Sequence, residues 1–221
     1  MRSASALAVL AAMAGGCRAE PSPAPDVTGP GTYVVLTDSS RVAFVLPADP
    51  EPIAGTLGGV RGSLRLEEDD LGFLRGSGTL SVDLGAVAMV DSARARSLTG
   101  DLLQAGAGPE FRSAELRVRE ITGRHFRSDL APGAATPVTA RGQLQLQRRA
   151  LSRPFDGQIA PSPQGYRVTS STPLVLSLRE IGLSERLPGW LEEAGLRNAA
   201  DQVVVSVDLR LAKRDGGAAE D

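Results

Sequence analysis

The sequence predicts an all-β fold, an antiparallel barrel of roughly eight strands with one or two short helices. Three observations predict it. Runs in which every second residue is apolar recur along the chain, and a strand with that pattern has one dry face and one wet face. Gly (25) and Pro (15) are frequent, as expected of many turns between short strands. Aromatic residues make up only 4%, so the dry face is built mainly from Ala, Val and Leu, which leave more room than Phe or Trp.

The strands follow in order. Residues 32–36 and 41–46 open the pattern. In 60–66, Leu64 and Leu66 share a face, and in 79–84 so do Leu80, Val82 and Leu84. The acidic run Glu67-Glu68-Asp69-Asp70 lies between these two strands. It lacks the ligand spacing, glycine turn and distal glutamate of a calcium loop, so it reads as a solvated hairpin. Further strands are 115–121 (Leu116, Val118), 138–147 (Leu144, Leu146), 155–159, 166–170 and 174–178. The clearest run is the last, 203–211, in which Val203, Val205, Val207, Leu209 and Leu211 alternate with polar residues after Val204.

Two helices interrupt the strands. Asp91 or Ser92 caps one that carries Arg94, Leu98 and Leu102 and ends before Gly106-Ala107-Gly108-Pro109. Residues 184–196 form the other, with Leu187, Trp190, Leu191 and Leu196. Trp190 serves there either as a core plug, the commoner role, or as a lid over a cavity. There is no internal repeat.

The ends read differently from the middle. Residues 1–17 combine Arg2, the apolar stretch 4–14 and small residues up to Cys17, the only cysteine. This is the layout of a secretory signal, and Ala14-Gly15-Gly16-Cys17 resembles a bacterial lipobox. Ala14 stands where Leu is preferred. The lipoprotein reading, with Cys17 acylated, is favoured over an ordinary signal peptide with a chance cysteine. Residues 18–31, with Pro21, Pro23, Pro25 and Pro30, read as an extended tether. Residues 32–212 are then a single barrel domain, and 213–221 a disordered tail. The expected location is the periplasm or cell surface, as an exported, membrane-anchored lipoprotein.

Composition and motifs argue against catalysis. The net charge is -2 and Lys213 is the only lysine, so no overall field draws nucleic acid and no phosphate-binding Gly-Lys loop exists. With one histidine, His125, and one cysteine, no ordinary transition-metal site can be assembled. No Gly-x-Ser-x-Gly elbow is present, and Arg75-Gly76-Ser77-Gly78 lacks its first glycine. The expectation is a protein that is not an enzyme, with no catalytic residue, metal or cofactor. One basic cluster, Arg141, Arg148, Arg149 and Arg153, is suited either to an anionic head group at a barrel mouth or simply to a soluble turn.

The inward positions form the candidate apolar cavity: Val42, Phe44, Leu64, Leu66, Leu80, Val82, Leu116, Val118, Leu144, Leu146, Val205, Val207 and Leu209.

These motifs resemble the YceI-like proteins. Tyr33, Ser40, Val42 and Phe44 fit that family's opening Tyr-x-Ile-Asp-x-x-His-Ser-x-Val-x-Phe. Gly55-x-Leu57 and Gly62-x-Leu64-x-Leu66 are similar to its Gly-x-Phe and Gly-x-Ile-x-Phe. Val82-Asp83-Leu84, leading to Arg94 and Leu98, stands where the family has a helix bearing Arg-Asp-x-His-Leu. Gly142-Gln143-Leu144-Gln145-Leu146 resembles its Gly-x-Leu-x-Leu strand, and Asp201 to Leu209 its closing strand. The matches run in order across residues 32–212. Departures fall on polar positions: Leu36 replaces Asp, Ser39 His, Ala95 Asp and Ser97 a second His, while Arg148-Arg149-Ala150 replaces a Gly-Val-Thr turn. The resemblance implies a lipocalin-like barrel and a long-chain apolar ligand such as a polyisoprenoid, held for storage or transport. Apart from that ligand, the expected partner is the membrane, through Cys17. The alternative is a non-enzymatic envelope scaffold whose barrel is only a packed core.

Overall fold

The computed structural model describes residues 27–123 and 134–214. The chain begins with β1 (Gly31–Val35), a 3-10 turn at Thr37–Ser39, β2 (Arg41–Leu46), β3 (Ala48–Asp49), β4 (Ile53–Leu57), β5 (Arg61–Glu68), β6 (Leu74–Asp83) and β7 (Val87–Ala88). Helix α1 (Ser92–Ser97) runs into a π-turn at Leu98–Leu102 and is followed by α2 (Pro109–Arg112). Then come β8 (Ser113–Gly123), β9 (Thr136–Leu146), β10 (Arg149–Ser162), β11 (Gly165–Ser170), β12 (Leu174–Ser177), α3 (Leu187–Glu193), β13 (Asn198–Ala199) and β14 (Gln202–Lys213).

All main-sheet pairings are antiparallel, and the order β1-β5-β6-β8-β9-β10-β11-β14 closes through a β1–β14 pairing. That ring has eight strands. Several staves are broken in two. β1 and β2 continue one another across the 3-10 turn, and both pair with β14. β4 and β5 continue across Gly58 and Gly59, and β11 and β12 across residues 171–173. Gly59 has φ +62, a conformation that other residues rarely adopt. Each bend lets a long stave follow the barrel's curvature.

Inside, two apolar clusters fill the two ends. One gathers Tyr33, Leu66, Leu74, Ile121, Tyr166 and Leu211. The Tyr33 and Tyr166 rings are tilted against each other at 5.0 Å, and both hydroxyls bond Gly29: Tyr33 Oη donates to its carbonyl, and its N–H donates to Tyr166 Oη at 2.7 Å. The other cluster gathers Leu46, Ile53, Leu84 and Leu146 under a cap made of the π-turn (Leu98, Leu102), residues 178–187 and α3.

The structure revises several sequence expectations. Residues 155–159 are the middle of a fourteen-residue strand, β10. Residues 53–57 form β4, which the alternation did not show because Gly55 interrupts it. The cap of α1 is Asp91, which accepts from the N–H groups of Ala93 and Arg94. The second helix is shorter than 184–196, because residues 184–186 are a turn, Pro188 sits in the first helical turn and Gly195 (φ +69) ends it. Lys213 and Gly29, expected in the tail and the tether, both pack on the barrel. Lys213 pairs with Tyr33 and its Nζ donates to Thr28 O at 2.6 Å. The acidic run is a solvated hairpin: Asp69 Oδ1 accepts from the N–H groups of Leu71 and Phe73.

On the outer face, Arg167 grips Asp208 with two hydrogen bonds of 2.8 Å. The Arg167 guanidinium is the main cause holding the Asp208 carboxyl below its ordinary value. A carboxyl with a depressed folded-state pKa contributes stability at neutral pH that is lost as pH falls through that value. The expected contribution is at most about 1 kcal/mol, because the pair is partly exposed. Asp208→Asn should therefore lower stability at pH 7. In urea melts at stepped pH, the gap from wild type should close below about pH 4. A gap that persists at pH 2 would show that packing, not charge, is responsible.

Candidate functional site

The site is the hollow between the two clusters. Parity sets which side chains face it, because residues i and i+2 share a face of the sheet. Val203, Val205, Val207 and Leu209 of β14 face inward, as do Leu144 and Leu146 of β9 and Leu80 and Val82 of β6. The resulting cavity has a volume of about 270 Å³, and its lining is apolar except for Ser81 and Arg153. All thirteen inward positions read from the sequence line it.

Burial along the walls distinguishes a hollow from a solid core. Leu64, Leu66, Val118, Leu146 and Leu209 are buried near the ends. Val42, Phe44, Leu80, Val82, Leu116, Leu144, Val205 and Val207 are only partly buried, although they face the interior. A packed eight-stranded barrel would have buried these side chains against one another.

Alternation alone did not reveal every wall residue. Leu46, Ile53, Leu57, Val60, Ala140, Phe155, Ile159, Val168, Leu174 and Leu176 also line the cavity. Ala140 shares the parity of Leu144 and Leu146, so the alternation of that strand already marks it, whereas Phe155 and Val168 lie on β10 and β11, strands without a named inward position. Ile53 and Leu57 required recognising β4. Gly55 between them leaves space for the Phe44 ring, because a Cβ there would lie 2.7 Å from Phe44 Cζ.

The four arginines do not form a cluster. Arg141 has the parity of Gln143 and Gln145, opposite to Leu144, and lies on the outer face. Arg148 sits at the β9–β10 turn, where Gln147 (φ +46) and Arg148 (φ +66) are both left-handed. It pairs with Glu110 and lies over the Phe111 ring. Arg149 packs near Gly182. Only Arg153 faces the cavity, and it pairs with Glu180 at 2.6 Å.

The cap is held by a polar chain. Gln147 Nε2 donates to Leu103 O at 2.6 Å, and Arg186 donates to Gln147 Oε1 at 2.5 Å and to Gly182 O at 3.2 Å. Burial pushes the Arg186 guanidinium down from its ordinary pKa. Arg186 Nη1 and Trp190 Nε1 are buried with no hydrogen-bond partner among the described residues. Trp190 is a plug in the cap and does not touch the cavity.

Among the described residues, no group of three or more His, Cys, Asp or Glu side chains is placed to hold a metal ion. No helix among them is long and apolar enough to cross a membrane. His125 and Cys17 lie outside the described residues.

No protein-family model matches the chain, and no curated protein matches it. Solved structures do. A polyisoprenoid-binding domain from Saccharophagus degradans, implicated in plant cell wall breakdown, superposes with a TM-score of 0.64 at 16% identity, over 82% of this chain and 98% of that one. BcnA from Burkholderia cenocepacia superposes at 0.58 and 17% identity, over 81% and 99%. A Campylobacter jejuni YceI protein matches at 0.48 and 10% identity, over 73% and 84%. The chain thus has the fold of the polyisoprenoid-binding domain and of BcnA, the YceI-like barrel that its sequence motifs resemble.

Proposed function

We propose that this protein binds an apolar chain inside its barrel and carries or stores it without catalysis. The supporting observation is the row of inward side chains left partly buried around an apolar hollow of about 270 Å³. Apolar cavities of this kind stay dry and take apolar guests. A water molecule's share of liquid volume is about 30 Å³, and a methylene is of similar size, so the hollow as it stands holds about nine carbons. At about 0.8 kcal/mol per buried methylene, a chain filling it gains about 7 kcal/mol before the costs of association. That the neighbouring Saccharophagus domain is named for polyisoprenoid binding supports an isoprenoid as one member of the ligand class. A long polyisoprenoid would need the cap to open or the hollow to widen.

Purified from its own membranes, the protein should carry a lipid that native mass spectrometry detects as a discrete added mass. A uniformly empty barrel would refute this reading and favour an envelope scaffold with a packed core.

Leu144→Trp separates the two readings further. Its side chain points into the hollow and would occupy it, abolishing ligand uptake with little loss of stability. In a solid core the same change would cost about 1–3 kcal/mol by overpacking. Fluorescent-lipid titration together with a urea melt reads both effects.

We further propose that acyl chains on Cys17 tether the barrel to the envelope membrane by way of residues 18–26. The signal-like residues 1–17 and the strength of a doubly acylated anchor support this. Cys17→Ser should shift the protein from the membrane pellet to the soluble fraction. Continued pelleting of that variant would sink the anchor.

A further inference from the structure

Among the described residues, no strand pairing closes the barrel wall between the first half of β10 and β12. β10 and β11 pair from Ser162↔Gly165 up to Gly157↔Ser170, and the last rung is Ser171 N–H to Asp156 O at 3.0 Å. Above it, β12 pairs with β14 alone, so residues 149–155 of β10 have a strand partner only on the β9 side. Pro154, which has no N–H to donate, lies in this half-strand, as prolines do at sheet edges.

Residues 178–183 cover the gap, and the two sides hold them differently. On the β14 side the contacts include backbone: Leu178 N–H donates to Asp201 O at 3.1 Å and Arg179 N–H to Asp201 Oδ1 at 3.2 Å. On the β10 side the polar contact among the described residues is between side chains, Arg153 Nη2 donating to Glu180 Oε1 at 2.6 Å. The flap is hinged at Asp201 and latched by an ion pair.

Among the described residues, Arg153 is also the only charged one in the cavity lining. It shares the inward parity of Leu151 and Phe155, yet its side chain is 47% exposed, so it stands where the hollow meets solvent. Glu180, 40% exposed, takes only one of its nitrogens. A guanidinium offers paired donors that suit a carboxylate or phosphate, so a second anionic oxygen group can bind beside Glu180 or displace it.

We propose that this seam is the ligand's portal and that Arg153 binds the ligand's head group. The ligand is then a single-chain amphiphile, its tail in the hollow and its anionic oxygen head, carboxylate or phosphate monoester, at the β10 edge. This rests on the apolar-ligand reading of the cavity, and the experiment separates the two.

The full-length protein is loaded with the fluorescent apolar probe 1-aminoanthracene, which is then displaced by decanol, decanoate or decyl phosphate. At least one anion should compete about tenfold better than decanol, the scale of a charge-assisted hydrogen bond, and the stronger of the two identifies the head group. Arg153→Gln should bring the anion-to-decanol ratio close to one. Glu180→Gln, which frees the guanidinium, should raise that ratio several-fold and guards against misreading a damaged Arg153 variant. Anions no better than decanol, or a ratio that neither variant changes, would overturn the portal assignment while leaving the cavity reading intact. If none of the three compounds displaces the probe, the cavity reading falls and the portal with it.

Discussion

Everything in this molecule depends on β14 meeting four neighbours. Its twelve residues pair with β1 and β2 along one edge and with β11 and β12 along the other. Without that double pairing, the sheet would leave two long edges with unpaired N–H and C=O groups beside an exposed apolar face, a template for aggregation. The alternation in β14 turns closure into a hollow. Each inward residue is a valine or leucine, so the closing strand puts branched aliphatic bulk on the interior and leaves Asp208 and Arg210 for solvent and the outer ion pairs.

Eight strands make a barrel just wide enough for side chains to fill, so residue size decides whether space remains. The tyrosine and tryptophan rings are at the ends, while the smaller Phe44 and Phe155 rings lie in the wall of the hollow. Tyr33 and Tyr166 close the base around Gly29, and Trp190 lies in the cap. Otherwise the midsection is mostly Val, Leu and Ala, including Ala140. Side chains of that size do not meet across the axis. The two buried clusters therefore do not merge into one core, and the hollow is the region between them.

The inward face was legible because strand parity is a local property. Once a run alternates, the side of each residue follows, and Val42, Leu80 and Leu144 point inward whatever the rest of the chain does. Less was legible wherever side depended on which strand lay next door. Arg153 stands close in sequence to Arg141, Arg148 and Arg149, yet the four lie on an outer face, at a turn and on an inner face. The signal that separates them is present in Leu151-x-Arg153-x-Phe155, a charge on an apolar parity. Nor could alternation show that β12 abandons β10, because that is a fact of pairing between segments far apart in sequence. The acylation reading, by contrast, depends on residues 1–17 alone and draws nothing from the barrel.

The unevenness of the wall gives the barrel a way to exchange a guest without unfolding. Opening any seam between paired strands would break a ladder of backbone bonds and expose their polar groups together, a cooperative cost. Freeing the flap at residues 178–183 from β10 breaks no strand ladder: it breaks one exposed ion pair, an interaction that contributes between about zero and 1 kcal/mol, and it uncovers the buried Leu178, Ile181 and Leu183, which is the larger part of its cost. The neighbouring cap is also under-satisfied. Two buried donors, Arg186 Nη1 and Trp190 Nε1, have no acceptor among the described residues, and Gln147 bonds from a left-handed backbone. Unmet donors and strained turns lower the free energy of local opening relative to the ladders around them. The motion that spares the ladders thus lies on the side where Arg153 stands, the charged residue of the cavity lining among the described residues, and the strand pairings of β14 need not break for it.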